Sequence, residues 1–299
     1  MSVRSVQLRQ RRPNLTPYLF LAVPLLIYLI WVIAPMFYSF YLSFTNWDGV
    51  SAPGFVGLKN YAKLFRDPIF YKSLTNNLKW LVCFITIPVA MGLALALLLN
   101  QDIAGDKIFK ACFYSPMVLS FVVIGLIWSW MYHPANGLIN STLRTLGLGS
   151  LAQGWLSDKD LALYAIIAAA VWRQVGYVMI LYLAGLNNID PSFLEAAEVD
   201  GASRWQSFWR IILPLLTPVT VIVVVISIID SLRAFDLVFV MTRGGPYNSS
   251  SVLANFMYIE AFNNYKMGYG AAIAVILFLI SLSFIGIYLW RMLQTEIEY

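Results

Sequence analysis

Six long apolar stretches, separated by short polar ones, set the rhythm of this chain. They run near residues 18–41, 74–99, 109–132, 161–186, 211–235 and 268–290. Each matches the roughly 20 residues that a helix needs to cross the hydrocarbon core of a bilayer. Prolines fall inside several of them, among them Pro24 and Pro35 in the first, Pro88 in the second, and Pro214 and Pro218 in the fifth. Membrane helices tolerate such breaks because neighbouring helices and Ser/Thr side chains re-satisfy the freed backbone groups. The pattern predicts an all-α, polytopic integral membrane protein with six transmembrane helices. Residues 1–17 form a tail, 18–291 the membrane domain and 292–299 a short stub.

Composition supports this reading. Sixty per cent of the residues are hydrophobic and 12% are charged, against about a quarter charged in a soluble domain. The tail carries Arg4, Arg9, Arg11 and Arg12 and no acid, while residues 42–58 carry no Lys or Arg. The first apolar run is too long for a signal peptide and lacks a small-x-small cleavage site, which predicts an uncleaved first span. The arginine bias puts the N-terminus in the cytoplasm, and six spans bring the C-terminus to the same side. Counted over all loops, Lys and Arg divide evenly between the two sides, so the first span carries the orientation. Segments 42–73, 133–160 and 236–267 then lie outside.

Several chemistries are disfavoured. A G-x-x-x-x-G-K-[ST] phosphate loop is absent, so this chain does not hold ATP in the P-loop manner. Cys83 and Cys112 both fall in apolar spans and His133 is the single histidine, which argues for packing cysteines and against a metal site. The basic residues form a tail rather than a folded face, so nucleic acid is not a predicted partner.

The short polar insert between the fourth and fifth spans, about 187–210, carries the densest local signal. It reads Glu195-Ala196-Ala197, three residues, Gly201, nine residues, then Ile211-Ile212-Leu213-Pro214. Asp190 or Ser192 can cap a short helix there, with Pro191 acceptable at its first position and Ser192-x-x-Glu195 as a capping box. Gly201 is a natural stop, and Ser203-x-x-Gln206 reads as a second box restarting the helix. Ala196, Ala197, Gly201 and Ala202 leave a surface small enough for another protein to come close.

That spacing resembles the cytoplasmic motif of the permease subunits of binding-protein-dependent ABC importers. The segment Pro53-Gly54-Phe55-Val56-Gly57-Leu58-Lys59-Asn60-Tyr61, the run Thr242-Arg243-Gly244-Gly245-Pro246 and Gly268-Tyr269-Gly270-Ala271-Ala272 are similar to the sugar, maltose-type branch of that family. The resemblance implies the type I importer permease fold in the inner (plasma) membrane of a bacterial cell. It implies a transport subunit rather than an enzyme, working as half of an ATP-driven path for a carbohydrate or related polyol or glycoside. Implied partners are a second permease in a heterodimer, two cytoplasmic ATPase subunits that hold the ATP and Mg, and an extracytoplasmic solute-binding protein. Glu195, Ala196, Ala197, Asp200, Gly201 and Ala202 would then form the coupling segment in an ATPase groove.

Arg173 lies in the middle of the fourth span, where an arginine costs at least about 2.5–3.5 kcal/mol on insertion scales and so faces protein or a water-filled cavity. Tyr177 lies one turn on, with Gln174 alongside. In the fifth span Ser227, Asp230, Ser231 and Ala234 make a polar stripe that points away from lipid. Ungapped matching to the maltose-type permeases implies that Arg173, Gln174, Tyr177, Ser227, Asp230 and Ser231 line the substrate path. Two readings of Arg173 and Asp230 stand: a pair across the cavity, or separate contacts to ligand hydroxyls. Asn76, Asn77 and Lys79 read as interfacial anchors of the second span. The rival function is an ion-coupled secondary transporter using Asp230 and Arg173. That class usually shows paired inverted repeats, which are not evident here.

Overall fold

In a computed structural model, residues 16–101 and 104–294 are described. The expected N-terminal tail (1–17) and C-terminal stub (292–299) therefore lie mostly outside the described residues. Among those residues every regular element is helical, with one isolated β-bridge between Thr45 and Phe55.

Four helices are long and apolar enough to span a membrane alone: Tyr18–Leu42, Pro68–Leu99, Ala162–Asn187 and Met267–Trp290. The third and fifth spans are bent pairs rather than the continuous helices that hydropathy predicts. Asp106–Val118 meets Phe121–Met131 at 103°, and Arg204–Leu215 meets Thr217–Met241 at 65°. At the first break Ser115-Pro116 tightens the chain into a 3-10 turn, and Leu119 and Ser120 are extended. The Ser120 hydroxyl then accepts from Val123 N at 3.3 Å and restarts the helix, as an N-cap does. Hydropathy cannot see this break, because the residues around it are as apolar as those of a straight span.

Prolines inside the spans are handled differently. A wide π turn, Leu29–Ile33, ends just before Pro35, and another, Phe208–Ile212, just before Pro214. Proline has no N–H and crowds the carbonyl four residues back. Loosening the preceding turn to i→i+5 bonding, as in Ala34 N to Leu29 O and Leu213 N to Phe208 O, keeps the ladder satisfied.

The fourth span is the axis of the bundle, two thirds (67%) of its most apolar window being buried, against none for the first span. It packs most extensively on the second span. Gly92 permits that approach, since a Cβ there would sit 2.6 Å from Val178 Cγ1, the close contact that small residues allow between membrane helices.

Asn76 and Asn77 correct the anchoring expectation. Both are buried. Asn76 Nδ2 donates to Ser249 O and Ser251 O, each at 2.8 Å. Asn77 Oδ1 accepts from Leu253 N at 2.8 Å and its Nδ2 donates to Ser231 O at 3.2 Å. The pair thus ties the second span to the fifth and to the loop before the sixth. Asn77→Ala would orphan the buried Leu253 N–H, and the full desolvation cost of such a group is about 1–3 kcal/mol. The melting temperature of purified Asn77→Ala should therefore fall by several degrees, while Thr86→Ala, on an exposed helix face, should melt as the parent does.

Candidate functional site: a polar cavity in the bundle and a capped helix at its edge

Two features stand out, one inside the bundle and one beyond the end of the fourth span. The inner one is a cavity of about 180 Å³ between the second, third, fourth and fifth spans. Trp80, Phe84, Phe121 and Phe235 give it aromatic walls, and Asp230, Arg233 and Asp236 give it charge. Trp80 is 2% exposed and its indole N–H has no acceptor, so a cavity wall holds an unanswered donor. Aromatic faces beside a few charged groups suit a ligand with apolar ring faces and polar edges.

The residues expected in the path are only partly brought together. Gln174, buried in the fourth span, donates Nε2 to Asp230 Oδ2 at 3.3 Å, and Asp230 lines the cavity. Arg173, one residue back and about 100° around the helix, turns to the break in the third span. Its guanidinium sits 4.2 Å over the Phe121 ring, with Nη2 3.5 Å from Met117 O. Among the described residues Arg173 and Asp230 make no ion pair within 4.0 Å. Ser231 is fully buried, its hydroxyl bonded to Ile228 O at 2.9 Å, and its carbonyl takes the Asn77 amide. Ser227 is fully buried and its hydroxyl has no partner. Tyr177 is half-buried. Trp80 and Arg233 belong to the cavity without having been singled out from the sequence; Phe235 and Asp236, at the end of the fifth span, line it too. Trp80 carried a signal: it lies thirteen residues past the Asp67 cap, about 20 Å along the helix, and inside the second apolar run rather than at its end, where interfacial tryptophan gathers.

The outer feature is the helix Pro191–Val199. Asp190 caps it, accepting from Ser192 N at 2.9 Å, and that bond holds the Asp190 carboxyl below the usual carboxylate range. The alternative cap at Ser192 with Glu195 is not used, because Pro191 already occupies the first helical position behind Asp190. The helix ends in a Schellman turn: Ala202 N donates to Ala197 O at 2.9 Å and Gly201 N to Glu198 O at 3.0 Å, with Gly201 at φ +76°. Two residues later Ser203 and Gln206 form the expected capping box. Glu195, Ala196, Asp200 and Gly201 are exposed, Ala202 is half-buried and Ala197 is buried. Between this helix and the next lies a concavity of about 440 Å³ lined by Ala196, Ala197, Gly201, Gln206 and Arg210 among others.

The family described as binding-protein-dependent transport system inner membrane component matches residues 87–298. The chain belongs to that family. This binding-protein-dependent permease is therefore a multi-pass inner-membrane transport subunit of an ABC importer, not an enzyme. It is 41% identical to a probable ABC transporter permease protein of Pyrococcus horikoshii, over 94% of this chain and 97% of that one. It is 36% identical to the multiple sugar-binding transport system permease protein MsmF of Streptococcus mutans, over 87% and 89%. It is 32% identical to the probable starch degradation products transport system permease protein AmyD of Thermoanaerobacterium thermosulfurigenes, over 93% and 95%. Its fold is similar to that of a chain in a bacterial ABC transporter involved in the import of the acidic polysaccharide alginate, with a TM-score of 0.83 at 22% identity over 94% of this chain and 96% of that chain.

Arg173→Ala removes the guanidinium from Phe121 and Met117 and should destabilise the folded subunit by about 1–3 kcal/mol. Because no ion pair joins it to Asp230, adding Asp230→Ala should not restore the melting temperature. Restoration in the double variant would show a direct pair instead.

Proposed function

We propose that this permease forms half of an ATP-driven import path for a carbohydrate or a related polyol or glycoside. It pairs with a second, non-identical permease. Two cytoplasmic ATPase subunits hold the ATP and Mg, and an extracytoplasmic binding protein delivers the solute. Both termini and the 187–210 segment face the cytoplasm. Glu195, Ala196, Asp200, Gly201 and Ala202 form the contact with an ATPase, with Ala197 buried beneath them. Gln174 and Asp230, with Arg173, Tyr177, Ser227 and Ser231 around them, belong to the path.

One observation carries the reading: the helix Pro191–Val199 is capped at both ends by its own residues yet leaves Glu195, Ala196 and Asp200 uncovered. A segment this firmly built and this small-faced supports docking into another protein. It has no purpose in an ion-coupled carrier. ATP binding by a partner shifts the bundle between two states only so far as the partner holds one state more tightly, and a stiff, capped helix transmits that difference without fraying. The relatives named for multiple sugars and starch products, together with the aromatic and charged cavity walls, support a carbohydrate class.

In vesicles loaded with ATP and given the binding protein, uptake of the sugar should persist when a protonophore is added and sodium is removed. Its loss with ATP intact would favour the ion-coupled carrier. Gly201→Asp places a charged side chain on the small-residue surface, at a left-handed position (φ +76°) that glycine holds without strain. Together with Glu195→Lys, it should leave the subunit in the membrane but reduce co-purification of the ATPase. Normal co-purification and transport in both variants would remove the segment from the coupling role.

A further inference from the structure

On the membrane face that carries residues 43–67, two adjoining surfaces remain outside the transport path. The first is a recess of about 590 Å³ around the short helix Lys59–Leu64, lined by Lys59, Lys63, Arg66, Asp67 and Pro68. All three cations are exposed, and among the described residues none has a carboxylate within 4.0 Å. Asp67, the carboxylate in the same recess, is engaged elsewhere: Oδ1 caps the second span at Ile69 N and Oδ2 accepts from the Tyr269 hydroxyl at 2.9 Å. Glu260 is taken by Lys266 at 3.0 Å. The Lys63 ammonium is held 4.2 Å from the Tyr269 ring centre, which fixes one cation at the top of the sixth span.

The second surface is an open apolar groove of about 490 Å³ between the second and sixth spans. The chain passes from one to the other within a few residues, since Phe65 lines the groove and Arg66 the recess. The groove continues past Tyr71 and Leu74 to Ile276, Ile280 and Phe284. Its polar atoms are satisfied internally: Tyr71 OH donates to Phe65 O at 2.9 Å and Ser283 Oγ to Leu279 O at 2.8 Å. From Ile276 to Phe284 it covers about 12 Å of helix, most of one leaflet's share of a roughly 30 Å hydrocarbon core.

We propose that these two surfaces form one site for an anionic phospholipid, with the headgroup phosphate against Lys59, Lys63 and Arg66 and an acyl chain in the groove below. A basic cluster at headgroup depth attracts anionic lipid, and a groove without a free donor or acceptor suits hydrocarbon rather than peptide or sugar. The cluster sits at the start of the helix that forms the second span, with Leu58, Phe65 and Tyr71 exposed beside it. The inference rests on the membrane placement of the family. It does not depend on the solute carried or on which leaflet this face meets.

The assembled transporter, purified in mild detergent, is tested by native mass spectrometry with phosphatidylglycerol and with phosphatidylcholine of the same chains. Phosphatidylglycerol should be retained at least about fivefold better. The double variant Lys59→Gln/Arg66→Gln, both on the exposed face, should bring the two lipids within about twofold of each other. Ile280→Trp, which fills the groove, should lower retention of both. If Ile280→Trp fails to fold, the charge variant alone decides. Equal retention by the parent, or a preference for phosphatidylglycerol that survives the charge change, overturns the proposal. So does a charge variant that keeps its lipid but loses the binding protein in lipid-free detergent, which would make the cluster a protein-docking surface.

Discussion

Every backbone N–H and C=O inside a bilayer must find its partner within the protein, and the architecture of this permease follows from how that demand is met where helices break. Proline interrupts the ladder in several spans, and three local devices answer it. Wide π turns absorb Pro35 and Pro214. A serine cap restarts the chain after Ser115-Pro116. At that same break, the guanidinium of Arg173 reaches from the fourth span towards the Met117 carbonyl and lies against Phe121. The costly arginine is thus bound up with the most severe bend in the molecule, which is why it sits beside the cavity instead of in its polar wall.

The bends matter because they place chemistry. The fifth span starts near the capped helix at the membrane edge, turns by 65°, and then carries Asp230, Arg233 and Asp236 to the cavity. On the other wall, Gln174 of the buried fourth span meets Asp230. Under the proposed function, one covalent path therefore runs from the ATPase contact to the solute contact. Asn77 of the second span fixes the other end of the same helix by donating to Ser231 O, and it accepts from Leu253 N in the segment beyond. Under that proposal, a displacement at the capped-helix end is delivered to a helix whose far end is clamped.

The long apolar helices were legible in the sequence because bilayer thickness translates directly into a length of apolar chain. The caps at Asp190, Gly201 and Ser203 were legible too, since capping depends on residues within one turn of each other. Straightness was not legible: the 103° bend arises from two extended residues, Leu119 and Ser120, that hydropathy counts as ordinary members of a span. The polar stripe of the fifth span was correctly read as inward-facing, but a stripe is wider than a cavity. Ser231 is closed off by its own Ile228 carbonyl, whereas Asp230, one position away, lines the open space. The roles of Asn76 and Asn77 depend on a loop about 175 residues further along the chain, and local pattern cannot reach that far.

The first span has no buried residue in its most apolar window, and this has a consequence for biosynthesis. A helix that buries so little against its own bundle, which it meets mainly where Phe40 packs edge-to-face on Phe278, is held in the membrane chiefly by hydropathy, so it can enter the bilayer before the rest of the chain exists. Its completed neighbour surface must come from lipid or from another subunit. A copy made without its partners would then be correctly inserted yet permanently unfinished on that side, and its abundance in a cell would track the supply of whatever covers it.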